Sequence, residues 1–116
     1  MIELKVVEDS PKLIRVVLAG ELDSLGAGQV ELKLTVLMRG TSPHAIVDMS
    51  NVTYIASMGV GLLVSVLKVL NRRGARLILL NPQPAVLIVL EATRLTEILG
   101  VAMDEAAAQT LLMKST

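Results

Sequence analysis

From residue 44 onward the chain alternates short aliphatic runs with longer stretches of helical character, and this alternation constrains the fold more than any other feature. "HAIVDMS" (44–50) is a compact strand candidate in which Ala45, Ile46 and Val47 form a continuous buried run. "SMGVGLLVSVLKVLNRR" (57–73) reads as a helix, with Arg72 and Arg73 near its negative pole and Gly74 ending it. "ARLILLN" (75–81) is a second buried strand. Pro82 and Pro84 start another helix, "PAVLIVLEAT", and Pro84 suits the first helical position because its missing N–H has no partner there anyway. A short apolar stretch near "ILGVAM" precedes a terminal helix, "DEAAAQTLLM", which Asp104 can cap. Strands alternating with helices imply parallel pairing through crossover helices.

The first part of the chain departs from that rhythm. "IELKVV" and "LIRVVLAG" are separated by "EDSPK", whose Asp-Ser-Pro is turn chemistry, and they read as an antiparallel hairpin. Next, Val30, Leu34 and Leu37 recur at helical spacing between Glu31, Lys33 and Arg39, so a helix is expected from about 25 to 39, stopped by Gly40. Gly26 and Gly28 weaken its first turn by about 1 kcal/mol each relative to Ala. The expected architecture is an α/β fold with a central mixed sheet of four to five strands and flanking helices, spanning residues 1–116 as one domain.

Composition narrows the function. Lys plus Arg and Asp plus Glu both total 11, so no basic excess points to nucleic acid. A single Tyr, with no Phe or Trp, leaves no stacking platform for bases. The absence of cysteine excludes disulfides, thiol catalysis and Cys-ligated metals, and the lone His44 cannot build a multi-histidine site. No nucleophile–base constellation is visible, although carboxylates brought together only by the fold stay open. No cofactor is expected. The longest apolar segment is broken by Ser65 and Lys68 and is too short to span a bilayer. No charged and then apolar leader opens the chain, which suggests a cytoplasmic protein.

Ser57 stands where strand and turn give way to a helix, and the simplest reading makes it an N-cap. Gly59 and Gly61 then read as tight loop-to-helix geometry. The same position tolerates a phosphate, because a helix N-terminus carries partial positive charge and free N–H donors. Eight of the eleven residues from 60 to 70 are apolar, more than one buried face requires, so part of that helix is expected to lie outside the core. "AVLIVL" (85–90) shows the same surplus. An exposed apolar patch would meet another protein or a second copy of this one, giving a homodimer through residues 58–72.

Three blocks carry a resemblance to a known family: "GELD" (20–23), "VDMS" (47–50) leading to "VTYIASMGVGLL", and "GARLILLNPQPAV". Together and in order they resemble a STAS domain of the bacterial anti-sigma factor antagonist type. That resemblance implies a protein that binds an anti-sigma factor and so releases a sigma factor. It further implies that the partner is a serine kinase using ATP and magnesium, and that a serine phosphatase resets the switch. Ser57 matches the family's phosphorylated serine, Gly59 and Gly61 match the two glycines of its D-S-[ST]-G-L-G motif, and Asp23 matches the Asp of its G-E-L-D block. Ala56 stands where the family has Asp, and Met58 where it has Ser or Thr. The partner-binding surface implied is Asp23, Ala56, Ser57, Met58, Gly59, Val60 and Gly61, with the surplus aliphatics Val66 and Val69. Ala56, Met58 and the apolar helix also leave open a STAS scaffold without a phosphoswitch, as a subunit of a signalling or membrane-transport complex.

Asp48 has the simpler reading of ending a strand and capping a turn, and Asp23 that of capping the first helix.

Overall fold

A computed structural model describes residues 2–113. The opening hairpin forms as expected: β1 (Ile2–Asp9) runs antiparallel to β2 (Ile14–Leu22). Its turn is held by Ser10, whose Oγ accepts from the backbone N–H of Leu13 at 3.2 Å and whose own N–H donates to the Leu13 carbonyl at 3.0 Å. Three parallel pairings follow, with β3 (His44–Ile55), β4 (Arg76–Leu80) and β5 (Gly100–Ala102), giving a five-stranded mixed sheet in the order β1-β2-β3-β4-β5.

The helices are α1 (Ser24–Met38), α2 (Ser57–Arg72), α3 (Pro84–Ala92) and α4 (Glu105–Met113), with a single 3-10 turn at Leu95–Glu97. Side-chain alternation on β3 sorts them into layers. Ala45, Val47 and Met49 point into the main core beneath α1, α2 and α3, where Leu34, Leu63, Leu70 and Val86 meet them. Ile46 faces the other way, with Ile78, Leu80 and Ala108 of α4. Asp104 caps α4 as its sequence implies, accepting from the Ala107 N–H at 2.8 Å. Arg15 also fastens α4 to the sheet through a two-pronged bond to Glu105, at 2.9 and 2.8 Å. That guanidinium, helped by the Gln109 amide, holds the Glu105 carboxyl below its ordinary pKa.

Two local expectations change. The strand "HAIVDMS" does not stop near Ser50 but runs to Ile55. Asp48 does make its turn-like bond, accepting from the Ser50 N–H at 2.9 Å. It makes it at a register irregularity, where Val17 pairs with Asp48 but Ala19 pairs with Asn51, so the sheet absorbs the turn as a bulge. The surplus aliphatics of α2 are also consumed inside the chain. Val66 is fully buried, and Val60, Val64 and Val69 are partly buried against the main core. α2 packs on β3 and β4 beneath and along α1 at its side, so it buries a wider arc than a helix with one neighbour does. What it leaves exposed beyond its first turn is Gly61, Ser65, Lys68, Asn71 and Arg72, with Met58 the one exposed large apolar side chain, which is not the apolar dimer face expected of residues 58–72.

Among the described residues, no helix is long and apolar enough to cross a membrane.

Candidate functional site

The sites singled out in the sequence converge on one end of the sheet, where β2 and β3 hand over to α1 and α2. The two junctions are fastened together: the Ala56 N–H donates to the Leu22 carbonyl at 3.0 Å. Glycines make this closeness possible. A Cβ on Gly59 would lie 2.4 Å from the Leu22 carbonyl oxygen, and one on Gly26 would lie 2.0 Å from that of Glu21. Both are impossible contacts, so each helix can start against its neighbouring backbone only through a glycine.

Asp23 is the N-cap of α1, accepting from the Gly26 N–H at 2.8 Å. Ser57 does not do the same for α2, contrary to expectation. Ala56 is in extended conformation (φ −114°, ψ 179°), and its carbonyl accepts the first intrahelical bond, from Val60 at 3.0 Å. Ala56 is therefore the cap residue, with a methyl that accepts nothing, and Ser57 is already the first helical residue. Its side chain is exposed. The N–H groups of the first turn have no intrahelical partner, and no acidic residue stands there to balance the helix dipole. The result is an exposed hydroxyl on an uncapped positive pole.

Around it, Met58 is 58% exposed and Gly61 is open, while Gly59 is buried beneath them. Val60 is half-buried and lines a cavity of about 460 Å³ between α2 and α3, together with Tyr54, Ile55, Ala56, Ser57, Val89 and Thr93. Tyr54 and Thr93 were not singled out in the sequence; Tyr54 had a signal, as the chain's one aromatic three residues before Ser57. Of the residues expected to touch a partner, Val66 is excluded by complete burial, since it lies on the side of α2 opposite the open face. Val69 is half-buried, well down the helix.

A larger concavity, about 720 Å³, lies at the other end of the sheet, lined by His44, Asn71, Arg76 and Glu97 among others. Burial, with the Arg76 charge, pushes the His44 imidazole below its ordinary pKa. No residue singled out for function except His44 reaches it, and size alone does not make it the site.

The comparisons agree with this fold. A STAS domain model matches residues 4–108. An anti-sigma-B factor antagonist of Staphylococcus aureus is 31% identical over 90 residues, covering 78% of this chain and 83% of that protein. The solved anti-sigma factor antagonist SpoIIAA in its unphosphorylated form is 26% identical, with a TM-score of 0.77 and complete coverage of both chains. The phosphorylated form of the Bacillus protein SpoIIAA matches at 26% identity and a TM-score of 0.68, covering 96% of this chain and 99% of that one. The chain belongs to the STAS domain family, among its anti-sigma factor antagonists.

Proposed function

We propose that this protein is a cytoplasmic phosphoswitch: unphosphorylated, it binds an anti-sigma factor that is also a serine kinase, and phosphorylation of Ser57 ends that binding. The observation that carries the reading is the state of the α2 N-terminus. Ser57 is exposed, its side chain bonded to nothing among the described residues, and set on a pole whose donors no side chain among them caps. A phosphate there adds about −1.5 to −2 charges where a helix favours them, so the fold survives while the surface changes sign. The solved relative SpoIIAA exists in both forms, which supports the same chemistry here. Binding would centre on Ser57, Met58, Gly61 and the half-buried Val60, with Gly59 and Asp23 shaping the two junctions. A serine phosphatase would reset the switch.

A second reading rests on Ala56 and Met58. Without the Asp and the hydroxyl residue that flank the family's phosphoserine, a kinase loses two polar handles. The same surface would then serve a STAS scaffold that is never modified.

The test is direct. Each serine-kinase-type anti-sigma factor encoded in the source genome is purified and mixed with this protein, with and without ATP and magnesium. Expected are a complex without ATP, a single added phosphate on Ser57 by mass spectrometry with ATP, and none on Ser57→Ala. A stable complex with no phosphate transfer would select the scaffold. No complex with any of them would overturn both readings.

A further inference from the structure

α1 and α2 lie side by side in the same direction. They are tied at the top by the Ala56 to Leu22 bond and at the bottom by Arg73, whose Nε donates to the Met38 carbonyl at 3.0 Å. Between them runs a groove whose upper part is a cavity of about 240 Å³ lined by Ala27, Gly28, Glu31, Met58, Gly61, Leu62 and Ser65. Its walls carry two glycines that the fold does not need. A Cβ on Gly28 or Gly61 would meet nothing within 4 Å, and neither has a positive φ. Each nevertheless costs its helix about 1 kcal/mol relative to Ala.

The α1 lip is apolar where it should be polar. Buried Val30, Leu34 and Met38 define its inner face, yet Leu25 (70% exposed) and Leu32 (77% exposed) stand on the side facing solvent. The lower end is basic. Arg39, Lys68 and Arg72 are exposed there, and none has an ion pair among the described residues. Glu31 is the one acid on the walls.

We propose that this groove docks an amphipathic helix from a partner protein, lying antiparallel to α1 and α2, with an acidic first turn and aliphatic later turns. An antiparallel helix sets its own N-terminal turn at the basic end, where acidic residues suit both its dipole and the arginines. Its aliphatic side chains then reach Leu25, Leu32 and Met58, with the glycines allowing close approach. The span from Gly28 to Arg39 is about 17 Å at 1.5 Å per residue, which sets an occupant of about three turns. A second copy of this chain does not supply it: α1, α2 and α3 have no acidic residue in their first turns, and Glu105 of α4 is engaged by Arg15. The inference holds whether or not Ser57 is phosphorylated.

The probe is a stapled helical peptide of about 14 residues, glutamates in its first turn and leucines on one face after it, and a twin with lysines replacing the glutamates. Each is titrated into the isotope-labelled protein and followed by NMR. Expected are shifts at Gly28, Leu32, Gly61, Ser65 and Arg72, with the acidic peptide binding at least tenfold tighter than its twin. Gly28→Leu with Gly61→Leu, whose added Cβ atoms meet nothing within 4 Å, should abolish these shifts while the remaining amide signals keep their positions. Arg39→Glu with Arg72→Glu should reverse the preference between peptides. Shifts confined to other surfaces, equal binding of the twins, or a dimer of the free protein that Leu32→Glu dissociates would each overturn the proposal.

Discussion

The junctions at Asp23 and Ser57 are built on one plan and finished in opposite ways. In each, a parallel strand ends, a residue in extended conformation precedes the helix, and a glycine in the first turn lets that turn press against the preceding backbone. At α1 the residue before the helix is Asp23, whose carboxylate satisfies the Gly26 N–H. At α2 it is Ala56, which satisfies nothing, followed by an exposed serine. One junction is closed by its own side chain. The other keeps its donors available, at some cost to helix stability, and this is the one at which we propose phosphorylation.

The largest expected effects test what the junctions share. Gly26→Ala and Gly59→Ala should each destabilise the protein by about 3 kcal/mol, because the added methyl would sit inside a backbone carbonyl that cannot easily yield. Urea unfolding should show a lower midpoint at unchanged slope. Gly28→Ala and Gly61→Ala are the controls in the same helices. With open space around them, they should gain up to about 0.8 kcal/mol from helix propensity alone. Equal losses at all four glycines would dissolve the distinction between glycines that fit a junction and glycines that line a surface.

The next test exchanges the finish. Asp23→Ala should cost about 1 kcal/mol by removing the side-chain cap of α1, and Ala56→Asp should gain a similar amount by supplying the cap that α2 lacks. The gain matters more than the loss. It would show that α2 is under-capped in this chain, and it also restores the residue that the family's motif has before its phosphoserine. If Ala56→Asp raises phosphate transfer to Ser57 while stabilising the helix, one residue accounts for both departures of this junction.

The sequence displayed most of this frame and little of its surface. The hairpin, the parallel alternation, the caps at Asp23 and Asp104 and the helix stop at Gly74 were all legible, because turn and cap chemistry is local. Ser57 was placed correctly at the head of a helix but one step out of role. Whether a serine is the cap or the first helical residue depends on the φ and ψ of its neighbour, which residue type does not encode. The exposed face was harder. Apolar density suggested surface patches on α2 and α3. α3 leaves Ile88 exposed, but α2 turns its surplus inward and the larger patch lies on α1, because density says nothing about how many neighbours a helix has. α2 packs on both α1 and the sheet, so its aliphatics turn inward. α1 is peripheral, and its second apolar line, Leu25, Leu32 and Val36, is exposed among the described residues.

The smallest expected effect is at Ser57 itself, and it separates the two junctions most sharply. The hydroxyl makes no hydrogen bond among the described residues, so Ser57→Ala should change stability by no more than about 0.5 kcal/mol. Ser57→Asp should be neutral or stabilising by up to about 1 kcal/mol, since a carboxylate in the first turn complements an uncompensated pole. At 1 M salt that gain should fade, whereas the loss from Asp23→Ala, a specific hydrogen bond, should largely persist. A large loss in Ser57→Ala would mean that the serine is a structural cap after all, with the geometry of α1 repeated at α2. A silent Ser57→Ala that nevertheless blocks phosphate transfer would leave the residue one role, which is chemical: it is held at the mouth of the helix for a partner to modify.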